Sequence, residues 1–197
     1  MSVVGVCLAG GLARRMGGGK ATVELRGRPL LHYPLDALRA AFDEVAVVAK
    51  HDVELPPLPA GTQVWIEPPT PRHPLTGIVH ALRMAGGRPV LVAAGDLALL
   101  DVATIRTITE TPRDEAAAVV PVAGGRLQPL CALYAPRALG SLAAFDPRRR
   151  VTEAVEALGV RTVEFDDAGA FFNVNAPDDL LQAAAMLDLR DRLAREG

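Results

Sequence analysis

Residues 8–20 read Leu8-Ala9-Gly10-Gly11-Leu12-Ala13-Arg14-Arg15-Met16-Gly17-Gly18-Gly19-Lys20, LAGGLARRMGGGK, and continue from the end of the apolar start VVGVCLA at 3–9. A continuous apolar run this short reads as a strand buried on both faces. The carboxyl end of such a strand is where open α/β sheets bind ligands. Glycine allows positive φ and lets consecutive N–H groups approach an anion. Arg14, Arg15 and Lys20 add positive charge suited to phosphate oxygens. Two familiar phosphate loops do not fit. A Walker A loop requires G-x-x-x-x-G-K-[ST], but Arg14 occupies the first glycine position and Ala21 follows Gly19-Lys20. The dinucleotide fingerprint G-x-G-x-x-G finds no match in register around Gly10-Gly11.

Outward from this loop, strands and helices alternate through the first half of the chain. Residues 30–41 predict a helix with Leu31, Leu35 and Leu38 on one face, and Pro34 is tolerable there only in the first turn. Residues 44–49 and 64–67 predict strands, 68–74 a proline-rich loop, and 75–85 a helix. Residues 90–94 predict a fourth buried strand ending at Gly95-Asp96, and Asp101 reads as the N-cap of a helix reaching Glu110. This alternation predicts a parallel sheet covered by helices, with right-handed crossovers. In the second half, 116–122 and 127–134 flank Gly124-Gly125. They read either as a hairpin or as strands around an excursion. Helices near 136–145 and 151–158, a strand at 160–165 and a last helix after Asn173–Asp179 complete the pattern. The charged run 188–196 reads as a solvated face. The fold class is α/β: three αβα layers, Rossmann-like, mostly parallel, with an antiparallel excursion in the second half.

The chain has 197 residues, half of them hydrophobic, enough for one substantial core and one domain over residues 1–197. A net charge of −2 favours a small-molecule partner and no nucleic acid. Cys7 and Cys131 lack CxxC spacing; they predict buried small hydrophobes rather than a disulfide framework or zinc site. The four histidines show no metal-ligand spacing, and only His73 falls in the suspected pocket loop. The sequence shows no leader pattern and no apolar run near the ~20 residues that cross a bilayer. A soluble cytoplasmic protein with no membrane association is expected, and no exposed apolar helix face is apparent.

Leu8 to Lys20 also fit L-A-G-G-x-x-x-R-M-G-x-D-K, with Gly19 in place of the Asp. Further landmarks follow in order: Arg28-Pro29-Leu30, Pro74-Leu75-Thr76-Gly77-Ile78, Gly95-Asp96, Gln128-Pro129-Leu130-Cys131-Ala132-Leu133-Tyr134 and Asn173-Val174-Asn175-Ala176-Pro177-Asp178-Asp179-Leu180. Together they resemble the nucleotidyltransferases that join a nucleoside monophosphate to a phosphorylated acceptor. Within that superfamily they resemble the molybdenum cofactor guanylyltransferases, over Val3 to about Leu180.

The resemblance implies transfer of GMP from GTP to the terminal phosphate of molybdopterin or molybdenum cofactor, releasing pyrophosphate, with Mg²⁺ as cofactor. It implies nucleotide binding by Leu8, Ala9, Gly10, Gly11, Lys20, Glu67, Leu75, Gly77 and Asp96. Arg15 and Lys20 would neutralise phosphate charge, and Asp96 would hold the metal, since Mg²⁺ needs only one or two carboxylates beside phosphate oxygens and water. Gln128, Asn173 and Asn175 would face the acceptor. Asp178 and Asp179 read instead as first-turn acids favouring the helix dipole. Several positions depart from the family pattern. Pro68 stands where relatives carry an Asp, leaving Glu67 to meet the N1–H and N2–H₂ donors of guanine. His73 replaces a Gly and Ala98 a Pro. The alternatives within this reading are a cytidylyltransferase or another transferase of the same fold and, from a different class, a non-catalytic nucleotide- or cofactor-binding adaptor. A monomer making transient contact with cofactor-insertion or apo-enzyme proteins is expected.

Overall fold

The computed structural model describes residues 2–10 and 22–196. Strand β1 (Val4–Leu8) is buried along its whole length. A short hairpin, β2 (Glu24–Leu25) and β3 (Arg28–Pro29), leads into helix α1 (His32–Ala41). Pro34 sits in the first turn of α1, where its missing N–H leaves no helical bond unmade. Strands β4 (Val45–Lys50) and β5 (Gln63–Glu67) follow, then helix α2 (Pro74–Met84). His73 caps α2 by accepting the Leu75 N–H on its ring, and Pro74 takes the first helical position, for which its fixed φ is suited. Strand β6 (Val90–Ala94) leads to helix α3 (Val102–Glu110), whose N-cap is Asp101: its carboxylate accepts the Thr104 N–H at 2.8 Å.

The second half resolves as a hairpin. Strand β7 (Ala118–Ala123) turns through Gly124 and Gly125, at φ 56° and 70°, into β8 (Arg126–Leu127), with Ala123 paired to Arg126. Two central residues at positive φ match the right-handed strand twist, which is why glycine occupies both. After a break over 128–130, strand β9 (Cys131–Tyr134) pairs antiparallel with both β7 and β6. Helices α4 (Ala138–Ala143) and α5 (Val151–Glu156), strand β10 (Arg161–Phe165), a 3₁₀ turn at Gly169–Phe171 and helix α6 (Pro177–Glu196) complete the described residues.

Among the described residues, eight strands form one sheet in the order β10-β7-β9-β6-β1-β4-β5, with β8 on β7. β1 is parallel to both β4 and β6, and β5 is parallel to β4. Helices α1 and α3 cover one face, burying Leu35, Leu38, Ile105 and Ile108 against Val47, Leu91 and Leu133. Helices α2, α4 and α5 cover the other, where Ile78, Leu82, Leu142 and Val155 meet Val6, Val92 and Val120. This is the three-layer arrangement the alternation predicts. Helix α6 anchors through Ala183 and Leu187 to Leu25, Leu30, Leu99 and Val174. The charged run 188–196 is solvated as expected, but the helix also exposes Leu181, Leu189 and Leu193, apolar side chains on a face where none was expected.

Candidate active site

Parallel pairing brings the carboxyl ends of β1, β4, β5 and β6 to one edge, where a cleft of about 240 Å³ opens. Leu8 and Gly10 line it from the end of β1, Val48 and Lys50 from β4, Glu67 from β5 and Gly77 from α2. Ala94 and Leu130 close the β6 side. The Gly95 N–H donates to the Leu8 carbonyl at 3.0 Å, so the segment carrying Asp96 is fastened to the start of the glycine loop. Gly11, Arg15 and Lys20, with the rest of 11–21, lie outside the described residues.

Three charged side chains among the described residues are buried at this edge: Lys50, Glu67 and Asp96. Lys50 and Glu67 end neighbouring strands, are paired in register and are 6 % exposed each. The Lys50 Nζ lies 3.2 Å from Glu67 Oε1 and donates to the Pro68 and Pro71 carbonyls at 2.8 and 3.5 Å. Burial raises the Glu67 pKa above the ordinary carboxylate value, opposed by the hydrogen bond and charge of Lys50 and the charge of Arg72. Glu67 Oε2 has no hydrogen-bond partner among the described residues. It lies 3.4 Å from where a Cβ on Gly77 would stand, and Oε1 lies 3.9 Å from the equivalent point on Gly10. That Cβ on Gly77 would also approach Leu8 Cδ2 to 3.1 Å, so glycine is what leaves the carboxylate an open wall. At the mouth, Arg72 pairs with Asp52 across the two loops.

Asp96 lies two residues beyond β6 and is 9 % exposed. Its carbonyl accepts the Val174 N–H at 3.1 Å, bringing the Asn173–Asn175 turn to the same edge. Asn173 donates to the Phe171 carbonyl at 3.0 Å. The Asn175 and Ala176 N–H groups donate to Asp179 at 2.7 and 2.9 Å, so Asp179 caps its own helix, as first-turn acids do. Leu75 is buried in the core beneath the start of α2 and does not line the cleft; Ala9 is likewise buried, its N–H on the Val48 carbonyl at 2.9 Å. Gln128 folds back, its side-chain N–H on the Arg126 carbonyl at 3.2 Å, while Leu130 from the same turn lines the cleft. His73, besides capping α2, lies 3.1 Å from the Arg149 carbonyl through Nε2. Since Nδ1 accepts from Leu75, Nε2 carries the proton and donates. This contact brings the basic run Arg148–Arg150 to the mouth.

Sequence reasoning missed Lys50, Asp52 and Arg72. The one available signal is Lys50, a lysine closing the apolar run VAVVA.

Neither cysteine is poised as a nucleophile. Burial pushes the Cys131 thiol up to about 12, and burial with the Asp96 charge pushes Cys7 further still. No group of three or more His, Cys, Asp or Glu that could hold a metal occurs among the described residues. That is a poor donor set for zinc, which takes its ligands largely from protein. A lone strand-end carboxylate fits Mg²⁺, which keeps waters and takes oxygens from substrate phosphates.

Comparison with known proteins agrees with this geometry. The family model of the MobA-like NTP transferase domain matches residues 5–163. The chain is 35% identical to a Cereibacter sphaeroides protein named molybdenum cofactor guanylyltransferase, covering 95% of this chain and 98% of the relative. It shares its fold with molybdopterin-guanine dinucleotide biosynthesis protein A from Archaeoglobus fulgidus at a TM-score of 0.76 and 23% identity, covering 94% of this chain and 99% of that one. The 2-C-methyl-D-erythritol 4-phosphate cytidylyltransferase of Thermus thermophilus has the same fold at a TM-score of 0.70 and 24% identity, covering 94% and 98%. The LAGG loop, the buried carboxylates at the strand ends and these similarities converge on one conclusion: the chain belongs to the MobA-like nucleotidyltransferase family, together with the molybdenum cofactor guanylyltransferases.

Proposed function

We propose that this chain, acting as one nucleotidyltransferase domain in the cytoplasm, transfers GMP from GTP to the terminal phosphate of molybdopterin or molybdenum cofactor. An oxygen of the acceptor phosphate forms a bond to the α-phosphorus, the bond from that phosphorus to the bridging oxygen breaks, and pyrophosphate leaves with the electron pair. The observation that carries the reading is the Glu67 carboxylate, which lines the cleft near Gly10 and Gly77 with one buried oxygen, Oε2, that has no hydrogen-bond partner among the described residues. A carboxylate there accepts from adjacent N–H donors, and guanine presents two such donors, N1–H and N2–H₂.

The base therefore lies against Glu67, and the phosphates run toward Leu8, Ala9, Gly10 and Gly11, with Arg15 and Lys20 neutralising their charge. Gly77 bounds the base side. Asn173, Asn175 and the Gln128 turn hold the acceptor, and Asp96 stands between the two sides. Asp96 would hold Mg²⁺, which when bound supplies charge neutralisation to the phosphate oxygens and departing pyrophosphate. In-line placement and electrostatic shielding account for such a transfer without a side-chain nucleophile, in keeping with the buried, un-ionised thiols of Cys7 and Cys131.

Incubation with GTP, Mg²⁺ and molybdopterin is expected to give pyrophosphate and the guanine dinucleotide in equal amounts. Preferred turnover of CTP in the same assay would overturn the guanine assignment. Tight GTP binding without pyrophosphate would replace the transferase by an adaptor. Size-exclusion chromatography with light scattering is expected to give a monomer.

A further inference from the structure

The Lys50 ammonium has three N–H donors and three acceptors: Glu67 Oε1 and the carbonyls of Pro68 and Pro71. A saturated, buried ammonium has no donor left for a ligand, so any effect on a nucleotide passes through Glu67. The two charges sit at paired positions on β4 and β5, and the proline carbonyls fix the loop over them. Burying an ion pair seldom adds stability over an apolar pair of similar volume. Something other than stability is needed to explain a charged pair at this place.

The hydrogen-bonding character of Glu67 supplies it. An ionised carboxylate only accepts, whereas a protonated one both donates and accepts. The first complements guanine, with its adjacent N1–H and N2–H₂ donors. The second complements a ring acceptor beside an amino donor, the pattern of adenine N1/N6 and cytosine N3/N4. We propose that Lys50 is the positioning residue that sets base selectivity here. Its ammonium holds Glu67 as an acceptor-only carboxylate, whose Oε2, unpartnered among the described residues, admits a base edge of adjacent N–H donors and rejects one bearing a ring acceptor. This rests on Glu67 reading the base, as proposed above.

The protonation of Glu67 is set by the groups around it. Lys50 from β4 and Arg72 from the following loop favour the charged form, and burial opposes it. Arg72 is itself partnered by Asp52. From α2, His73 is committed to Leu75 and Arg149, and His80 has its pKa lowered by burial and by the charges of Arg83 and Lys50. Lys50 is thus the only cation in direct contact with the Glu67 carboxylate among the described residues. Without it, Glu67 remains protonated to higher pH, and the selectivity inverts until alkali restores the carboxylate.

The test is calorimetric binding of GTP, ATP and CTP, each with Mg²⁺, to the full chain in mildly acidic and mildly alkaline buffer. In Lys50→Met, GTP affinity is expected to fall about 30-fold in the acidic buffer, the size of one charge-assisted hydrogen bond. ATP and CTP should hold or gain, and the GTP loss should shrink in alkali. Lys50→Arg, which keeps the charge, should retain the GTP preference. Glu67→Gln, which always presents a donor and an acceptor, should show at both pH values the behaviour that Lys50→Met shows in the acidic buffer. If Lys50→Met does not fold, Lys50→Gln keeps a donor for the Pro68 carbonyl without the charge and gives the same comparison. Equal loss for all three nucleotides, or a GTP loss independent of pH, overturns the role of Lys50. A GTP preference surviving Glu67→Gln overturns the reading of Glu67 itself. Loss of preference in Glu67→Gln but not in Lys50→Met overturns Lys50 alone.

Discussion

Strands β4 and β5 end in Lys50 and Glu67, two buried charges paired across the ladder, whereas β7 and β9 carry no charged residue. A polar group buried on the antiparallel side is the Tyr134 hydroxyl, and it donates to the Pro129 carbonyl at 2.7 Å. Among the described residues, one side of the sheet therefore leaves a buried carboxylate oxygen, Glu67 Oε2, without an internal donor, while the other supplies the buried Tyr134 hydroxyl with an acceptor. Unsatisfied buried polar atoms are costly to a fold, and they persist where a ligand completes them. On the function proposed above, the difference separates residues kept for binding from residues kept for packing, although both lie in the same sheet.

The sharpest way to break that distinction is Asp96→Ala. With the carboxylate proposed to hold Mg²⁺ gone, turnover measured as pyrophosphate release is expected to fall about a thousandfold, while the far-ultraviolet circular dichroism stays that of the folded chain. Turnover within a few-fold of the parent would remove Asp96 from the chemistry. On the packing side, Leu133→Ala empties a fully buried position on β9. It should cost about 2–5 kcal/mol in urea unfolding and leave KM for GTP unchanged at a temperature where the variant is folded. A raised KM would show the two halves coupled. The smallest effect is expected from removing the charged pair whole: Lys50→Met with Glu67→Met should unfold within ~1 kcal/mol of the parent, as buried ion pairs commonly exchange for apolar pairs with little loss. A loss as large as that of Leu133→Ala would assign the pair to stability instead.

Much of the fold was legible because local signals and burial coincide. β1, β4 and β6 are continuous apolar runs lying in the sheet interior, buried on both faces. Asp101 caps α3, and the Gly124-Gly125 pair forms the hairpin turn that was one of two options. The β2–β3 hairpin escaped notice, as two-residue strands carry no period to read. Lys50 escaped because an apolar strand was expected to stop at Ala49; only its partner, on another strand, makes a buried lysine sensible. Asp52 and Arg72 belong to separate loops, and nothing local announces their pairing. The Gln128 motif placed the right turn, but the side chain facing the cleft from it is Leu130. The LAGG loop led to the site, yet the residues that give the cleft its chemical character come mostly from β4 and β5.

The bond from the Val174 N–H to the Asp96 carbonyl joins peptide groups, not side chains. The spacing between the proposed nucleotide side and the proposed acceptor side is therefore written into the main chain, like the gauge of a rail track. Side chains on either rail can change to suit a different base or acceptor without altering the distance between them. Replacing the Val174 amide by an ester, which deletes this donor and spares every side chain, would alter the gauge alone.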